Sequence, residues 1–307
     1  MKIFIRLFFL ILFLTTSVSG FAKPVIKFGV PAWPGVTVKT EVADQILQTM
    51  GYKVEQSVLS APAIFESLRT NNLDAYLAGW SPQEDTMIDP LKEKGEIELL
   101  GMNLEEGRIS LCVPTYVWES GVKSFADLDK NAEKFDYKIY NLQPGTGMNT
   151  SMTEIIANDV AGLGDWTQVE SSTPAMLATV KAQMRQNKWI TFGCWKPHWM
   201  NVILDIKYLE GVPGTEKFVS ESVVYTIVRK GLKRDYPEVY KFLDRIKVNS
   251  EIQSKWIYEF GYKKRKPEDV AKEWIGNNLY IVEEWLKGVK TLTGEPAAEA
   301  LRNTFAK

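Results

Sequence analysis

The chain has 307 residues, 45 % of them hydrophobic, with 37 Lys and Arg against 38 Asp and Glu and a formal charge of −1. That length and balance describe a globular protein with its own core, and exclude both a disordered chain and the basic field that holds nucleic acid or an anionic membrane. The single histidine, His198, excludes multi-histidine zinc sites and forces any Ser/His/Asp triad or Cys/His dyad onto that residue; no metal and no cofactor are expected.

The chain opens with Lys2 and Arg6, an apolar run over 7–14 and then small residues. This is the pattern of a secretory signal peptide, with cleavage after Ala22, Gly20 or Ser19. An uncleaved anchor is the other reading, but the run is shorter than the roughly 20 residues a span needs. No cysteine follows the run, so no lipid anchor is expected and the mature product, from about residue 23, is expected soluble in a periplasm. Only Cys112 and Cys194 are present. In an oxidising compartment they form a possible disulfide, or else remain two buried thiols.

Strands and helices then alternate. The patterns predict strands at 25–30, 52–59 and 74–80, with helices at 37–50 and 61–70 between them. A second set follows: strands at 108–114, 137–141, 167–172 and 189–195, and helices at 124–135, 147–159 and 174–186. One more strand is expected at 221–230, and a helical tail from Tyr236 carries Trp256, Trp274 and Trp285 at amphipathic spacing. The fold class is therefore α/β, with sheets flanked by helices. The organisation is two-lobed: 1–22 signal peptide, 23–112 with 224–307 a discontinuous first lobe, and 113–223 a second. Strands crossing near 111–114 and 223–229 would let a cleft between the lobes close by a hinge.

Ten tryptophans are the unusual feature of the composition. Trp33 follows the first strand in GVPAWPG, Trp80 ends DAYLAGW and Trp195 ends WITFGCW. Ligands of open α/β sheets sit at the carboxyl ends of strands. Converging indole faces suit a quaternary ammonium, which donates no conventional hydrogen bond but is attracted by aromatic faces. Hydrophobic packing at strand ends is the alternative. In QPGTGMN, Gly145 and Gly147 flank Thr146 just before a helix. The Thr146 hydroxyl and the Gly147 and Met148 amides can hold an anionic oxygen there, although glycines in a strand–helix turn have the same appearance.

These segments, with AGWSP, ESSTPAM and above all GCWKPHWMN, make the chain from Val25 onward resemble the substrate-binding proteins of ABC importers for glycine betaine, choline and related trimethylammonium osmolytes such as trimethylamine N-oxide. The resemblance implies a type II-like periplasmic-binding-protein fold, with Trp33, Trp80 and Trp195 as a cage at the lobe interface and His198 orienting the last strand end. It also implies departures. Asp85 stands where betaine binders place a carboxylate-binding His. Gly35 replaces the choline binders' Asp, Ile109 their fourth aromatic and Thr146 their Asn. With neither sub-pattern intact, the smaller trimethylamine N-oxide gains weight beside glycine betaine and choline.

The expected partners are a small methylated amine and the membrane permease of an ABC importer; no nucleic acid is expected, and the chain is expected to be a monomer. The rival readings are a cysteine-dependent enzyme pairing Cys194 with His198 and a binding protein that serves a chemoreceptor.

Overall fold

The computed structural model describes residues 23–305; the expected signal peptide lies outside the described residues. Nine strands run in chain order as β1 Val25–Val30, β2 Lys53–Val58, β3 Ala75–Ser81, β4 Ile97–Pro114, β5 Lys138–Leu142, β6 Thr167–Ser171, β7 Thr191–Lys196, β8 Ile206–Tyr208 and β9 Ser220–Arg229. They form one mixed sheet in the order β2-β1-β3-β9-β4-β7-β5-β6, with β8 on β4. Strand β1 is parallel to β2 and β3, and β5 is parallel to β6 and β7. The two parallel sets are joined through β9 and β4, antiparallel to each other and to their outer neighbours β3 and β7.

Parallel neighbours need long crossovers. Helices Pro34–Thr49 and Ala61–Arg69 supply them in the first set, and Gly147–Ala157 and Thr173–Arg185 in the second. Each set has its own core. Ile26, Phe28, Val42, Ile46, Tyr76, Leu104 and Ile227 pack with Trp256, Trp274 and Trp285 of the helical tail. Ile109, Leu111, Phe125, Ile139, Met152, Val180 and Phe192 form the second core, which Ile257 of the tail joins. The chain thus passes between cores at 104–109 and 218–224. The first passage lies a few residues before the expected division at 112, because Ile109, Leu111 and Cys112 already point into the second core. Between Leu99 and Gly107 the β4–β9 ladder shifts register three times. Few regular ladder bonds resist bending there.

Three local expectations differ from what is observed. The first helix begins at Pro34 rather than 37, since proline's fixed φ and missing N–H suit a first helical position. Residues 124–135 form two 3₁₀ segments, Phe125–Asp127 and Asp129–Phe135, with Ser124 and Asp127 bonding each other's backbone at the start. Strand β4 extends back to Ile97, a stretch whose glycines 101 and 107 interrupt the alternation that reveals a strand.

Cys112 and Cys194 are joined in a disulfide, their Cα atoms 5.7 Å apart. The β4–β7 register sets Cys112 opposite Phe192 and Cys194 opposite Ser110. The two cysteines are therefore diagonal neighbours on adjacent strands.

Candidate ligand-binding site

Where the two cores meet, a cavity of about 60 Å³ is lined by Trp33, Trp80, Trp195, Ile109, Thr146, Gly147, Met148 and His198, all singled out in the sequence. Trp33 stands at the N-cap of the first helix, its backbone tied by the Trp33 N–H to Pro31 (2.6 Å) and by the Thr37 hydroxyl, which donates to the Trp33 carbonyl (2.9 Å). Trp80 and Trp195 close β3 and β7, and each is followed two residues on by a cis proline, Pro82 and Pro197. Trp80 packs against both cores, and its ring lies on Gly107, where a Cβ would come within 2.9 Å of it. Trp195 meets the His198 ring edge-on at 5.0 Å between centroids.

On the second-lobe side, Thr146 caps the helix Gly147–Ala157. Its hydroxyl accepts from the Asn149 amide (3.2 Å) and donates to the Gln143 carbonyl (3.1 Å). That hydroxyl is therefore engaged, and the first-turn amides of Gly147 and Met148 are the donors without intrahelical partners. Gly147 also packs tightly against the first lobe: a Cβ there would lie 2.2 Å from the Gln83 carbonyl. The Gln83 side chain continues this contact, donating to Ser220 Oγ (2.7 Å) and accepting from Ser222 Oγ (3.1 Å). Asp85 does not line the cavity; it opens the helix Asp85–Glu93 and adds negative charge beside Glu84.

Glu84, Lys39, Gln83 and Gln253 line the cavity without having been singled out. Glu84 is 1 % exposed. Its carboxylate accepts from the Trp80 amide (3.1 Å) and from the Tyr76 hydroxyl (3.3 Å to each oxygen). Burial pushes its pKa up to about 8 against these two donors. Burial likewise pulls Lys39 down to about 7; its ammonium donates to Asn103 Oδ1 at 2.5 Å. Lys39 had a sequence signal, since it shares the buried helix face of Val36, Val42 and Ile46. Glu84 had none, being one acid among several after Trp80.

His198 Nδ1 accepts from the Met200 amide (3.2 Å), which puts the proton of the neutral ring on Nε2. Burial holds its pKa near 3, and Nε2 has no partner. Trp33 Nε1 and Gln253 Oε1 are also buried without partners. The wall therefore offers indole faces, two unsatisfied N–H donors, one unsatisfied acceptor and a buried carboxyl. A thiol is not among its groups, because the Cys194 sulfur is bonded to Cys112. That removes the nucleophile of the enzyme reading. Among the described residues, no helix is long and apolar enough to cross a membrane.

Residues 24–277 match the family described as the substrate binding domain of ABC-type glycine betaine transport system. The fold is similar to an ABC-transporter choline binding protein in complex with choline, with a TM-score of 0.88 and 28 % identity over 92 % of this chain and 98 % of that one. It is also similar to lactococcal OpuAC in its closed-liganded conformation complexed with glycine betaine, with a TM-score of 0.78 and 27 % identity over 86 % of this chain and all of that one. The glycine betaine/carnitine transport binding protein GbuC of Listeria monocytogenes is 32 % identical over 163 residues, 53 % of each chain. Members of this family are substrate-binding proteins that work outside the cytoplasmic membrane with an importer's permease, and they are not enzymes. The protein belongs to the family of substrate-binding domains of ABC-type glycine betaine transport systems.

Proposed function

We propose that this protein captures a small trimethylammonium compound in a cage formed by Trp33, Trp80 and Trp195 and delivers it, as a periplasmic monomer, to its permease. The observation that carries this reading is that three indoles from three separate strand ends, two on one lobe and one on the other, line a single cavity. Each desolvated ring face is worth roughly 0.5–2 kcal/mol to a cation. The two lobes, joined by the strand passages at 104–109 and 218–224, would close on the ligand about β4 and β9. Trimethylamine N-oxide comes first, then choline and glycine betaine. A cavity of roughly 150 Å³ accepts a benzene-sized guest, so about 60 Å³ favours a short head group. The partnerless N–H groups of Trp33 and His198 and the helix-start amides of Gly147 and Met148 suit its oxygen.

The test is calorimetric titration with trimethylamine N-oxide, choline, glycine betaine, carnitine and proline betaine. It includes 3,3-dimethylbutanol, a neutral isostere of choline. Saturable binding of the smaller amines, with the neutral isostere at least about tenfold weaker, is expected. Equal affinity for choline and its isostere would reduce the cage to an apolar pocket.

A further inference from the structure

Glu84 is a buried carboxyl that the protein provides with hydrogen-bond donors but no counter-ion. Its contacts are the Trp80 amide and the Tyr76 hydroxyl. Among the described residues, no Lys, Arg or His nitrogen lies within 4.0 Å of it. The single Tyr76 proton can serve only one of the two oxygens, so lone pairs remain uncommitted. The same carboxyl lines the cavity beside the three indoles. A buried charge is retained when it is paired, and the open position for a partner here is the cavity itself.

We propose that Glu84 is the charge-selecting residue of the cage: its carboxylate is the counter-ion of a fully cationic ligand, and it disfavours ligands that bring a carboxylate of their own. This rests on the reading of the cavity as a trimethylammonium site. The ionisable groups around Glu84 are Tyr76 on β3, Asp85 on the following helix, Lys39 on the helix Pro34–Thr49 and His198 on the second lobe. In the empty cavity Glu84 holds its proton below about pH 8. A cation stabilises the ionised form, so its binding drives that proton into solution. Affinity for a full cation then rises with pH, by up to about tenfold per unit, and levels off once free Glu84 is ionised. Lys39, which loses its own charge through about pH 7, acts in the same direction. His198 is neutral throughout this range.

The experiment is calorimetry with tetramethylammonium, choline and glycine betaine from about pH 6 to about pH 9, in buffers of different ionisation enthalpy so that protons are counted. Release approaching one proton per cation is expected near neutral pH, with little for glycine betaine. Glu84→Gln should remove most of the release and most of the rise in the cation profile, leaving the smaller share of Lys39; Glu84→Asp should keep both, and Lys39→Met should leave most of the release in place. Proton release unchanged in Glu84→Gln would overturn the inference, as would cation affinity that falls with rising pH, the sign of a neutral carboxylic acid acting as donor. If the amines bind the wild-type protein without releasing protons, only this inference fails. If none of them binds at any pH, the cage reading fails and takes this inference with it. Should Glu84→Gln not fold, the wild-type proton count and Glu84→Asp decide the matter.

Discussion

The two walls of the cavity are built on opposite principles. On the second-lobe wall, polar groups are largely engaged within the protein. The Thr146 hydroxyl caps its helix, and Asn149 reaches the Leu142 carbonyl (3.1 Å) and Glu170 (2.7 Å). His198 is oriented by the Met200 amide on Nδ1, which leaves its Nε2 N–H as a fixed donor without a partner. The first-lobe wall instead leaves Glu84 and Lys39 buried without an ion-pair partner, together with a partnerless Trp33 N–H. The second wall is a rigid template that presents Trp195 and a few fixed donors. The first tolerates a cost in the empty state that a ligand can relieve. Binding selectivity should therefore be set mainly by the first wall, and rigidity by the second.

The sharpest way to break this contrast is through the pH dependence of stability. In the unfolded chain Glu84 loses its proton near the ordinary carboxyl value of 4.5; in the fold it does so only at about 8. The folded state binds that proton more tightly, so stability falls as pH rises through this window. Glu84→Gln, which mimics the neutral acid, should remove the fall. Without ligand, its unfolding free energy should match the wild type near pH 4.5 and exceed it by up to about 4 kcal/mol at pH 8. Denaturant melts at the two pH values measure this, and equal differences at both would mean that Glu84 is not destabilising.

The second wall should respond in the opposite sense to loss of its covalent tie. Replacing both Cys112 and Cys194 by Ala opens a link between residues 82 apart in sequence. The expected cost is about 2–4 kcal/mol, seen as a lower Tm, with ligand affinity kept once the protein is folded. Affinity that collapsed while Tm held would show that the disulfide shapes the cavity rather than the frame.

Changes at the rings come next. Ala at Trp33, Trp80 or Trp195 should weaken binding by about 1–3 kcal/mol. Phe should cost less than Ala, and Leu should behave like Ala because it lacks a π face. Trp274, which stacks on Trp285 and meets Trp256 edge-on in the first core, is the control. Its replacement by Ala should lower Tm and spare affinity.

The smallest expected effect lies at the contact between the walls. Gly147→Ala adds a Cβ that would sit 2.2 Å from the Gln83 carbonyl, a backbone atom that cannot rotate away. Closure should then cost about 1–2 kcal/mol. Ligand should shrink the radius of gyration of the wild type in solution scattering, and shrink that of the variant less at equal concentration. Identical profiles for both proteins would dissociate Gly147 from closure.

Much of this arrangement is legible in the amino-acid order. Period-2 and period-3.6 patterns mark eight of the nine strands, in part or whole, and most of the crossover helices, because burial on one face imposes those spacings. The indoles are found by their place at strand ends. The short β8 (Ile206–Tyr208) and the irregular half of β4 leave no periodic trace, since three residues or a bulged ladder do not complete a pattern.

Only the tertiary structure decides which side chains share the cavity and in what electrical state. The distance from Trp33 to Trp195 along the chain says nothing of their meeting across two lobes. That Cys112 joins Cys194 follows from the register of β4 on β7. That Glu84 rather than Asp85 faces the rings follows from the Trp80 carbonyl holding the Glu84 amide at 2.8 Å, which turns the chain back beneath the strand end. Local sequence sets the elements because their forces act over a few residues. Charge, pairing and selectivity are set by desolvation, which depends on every atom the fold brings near.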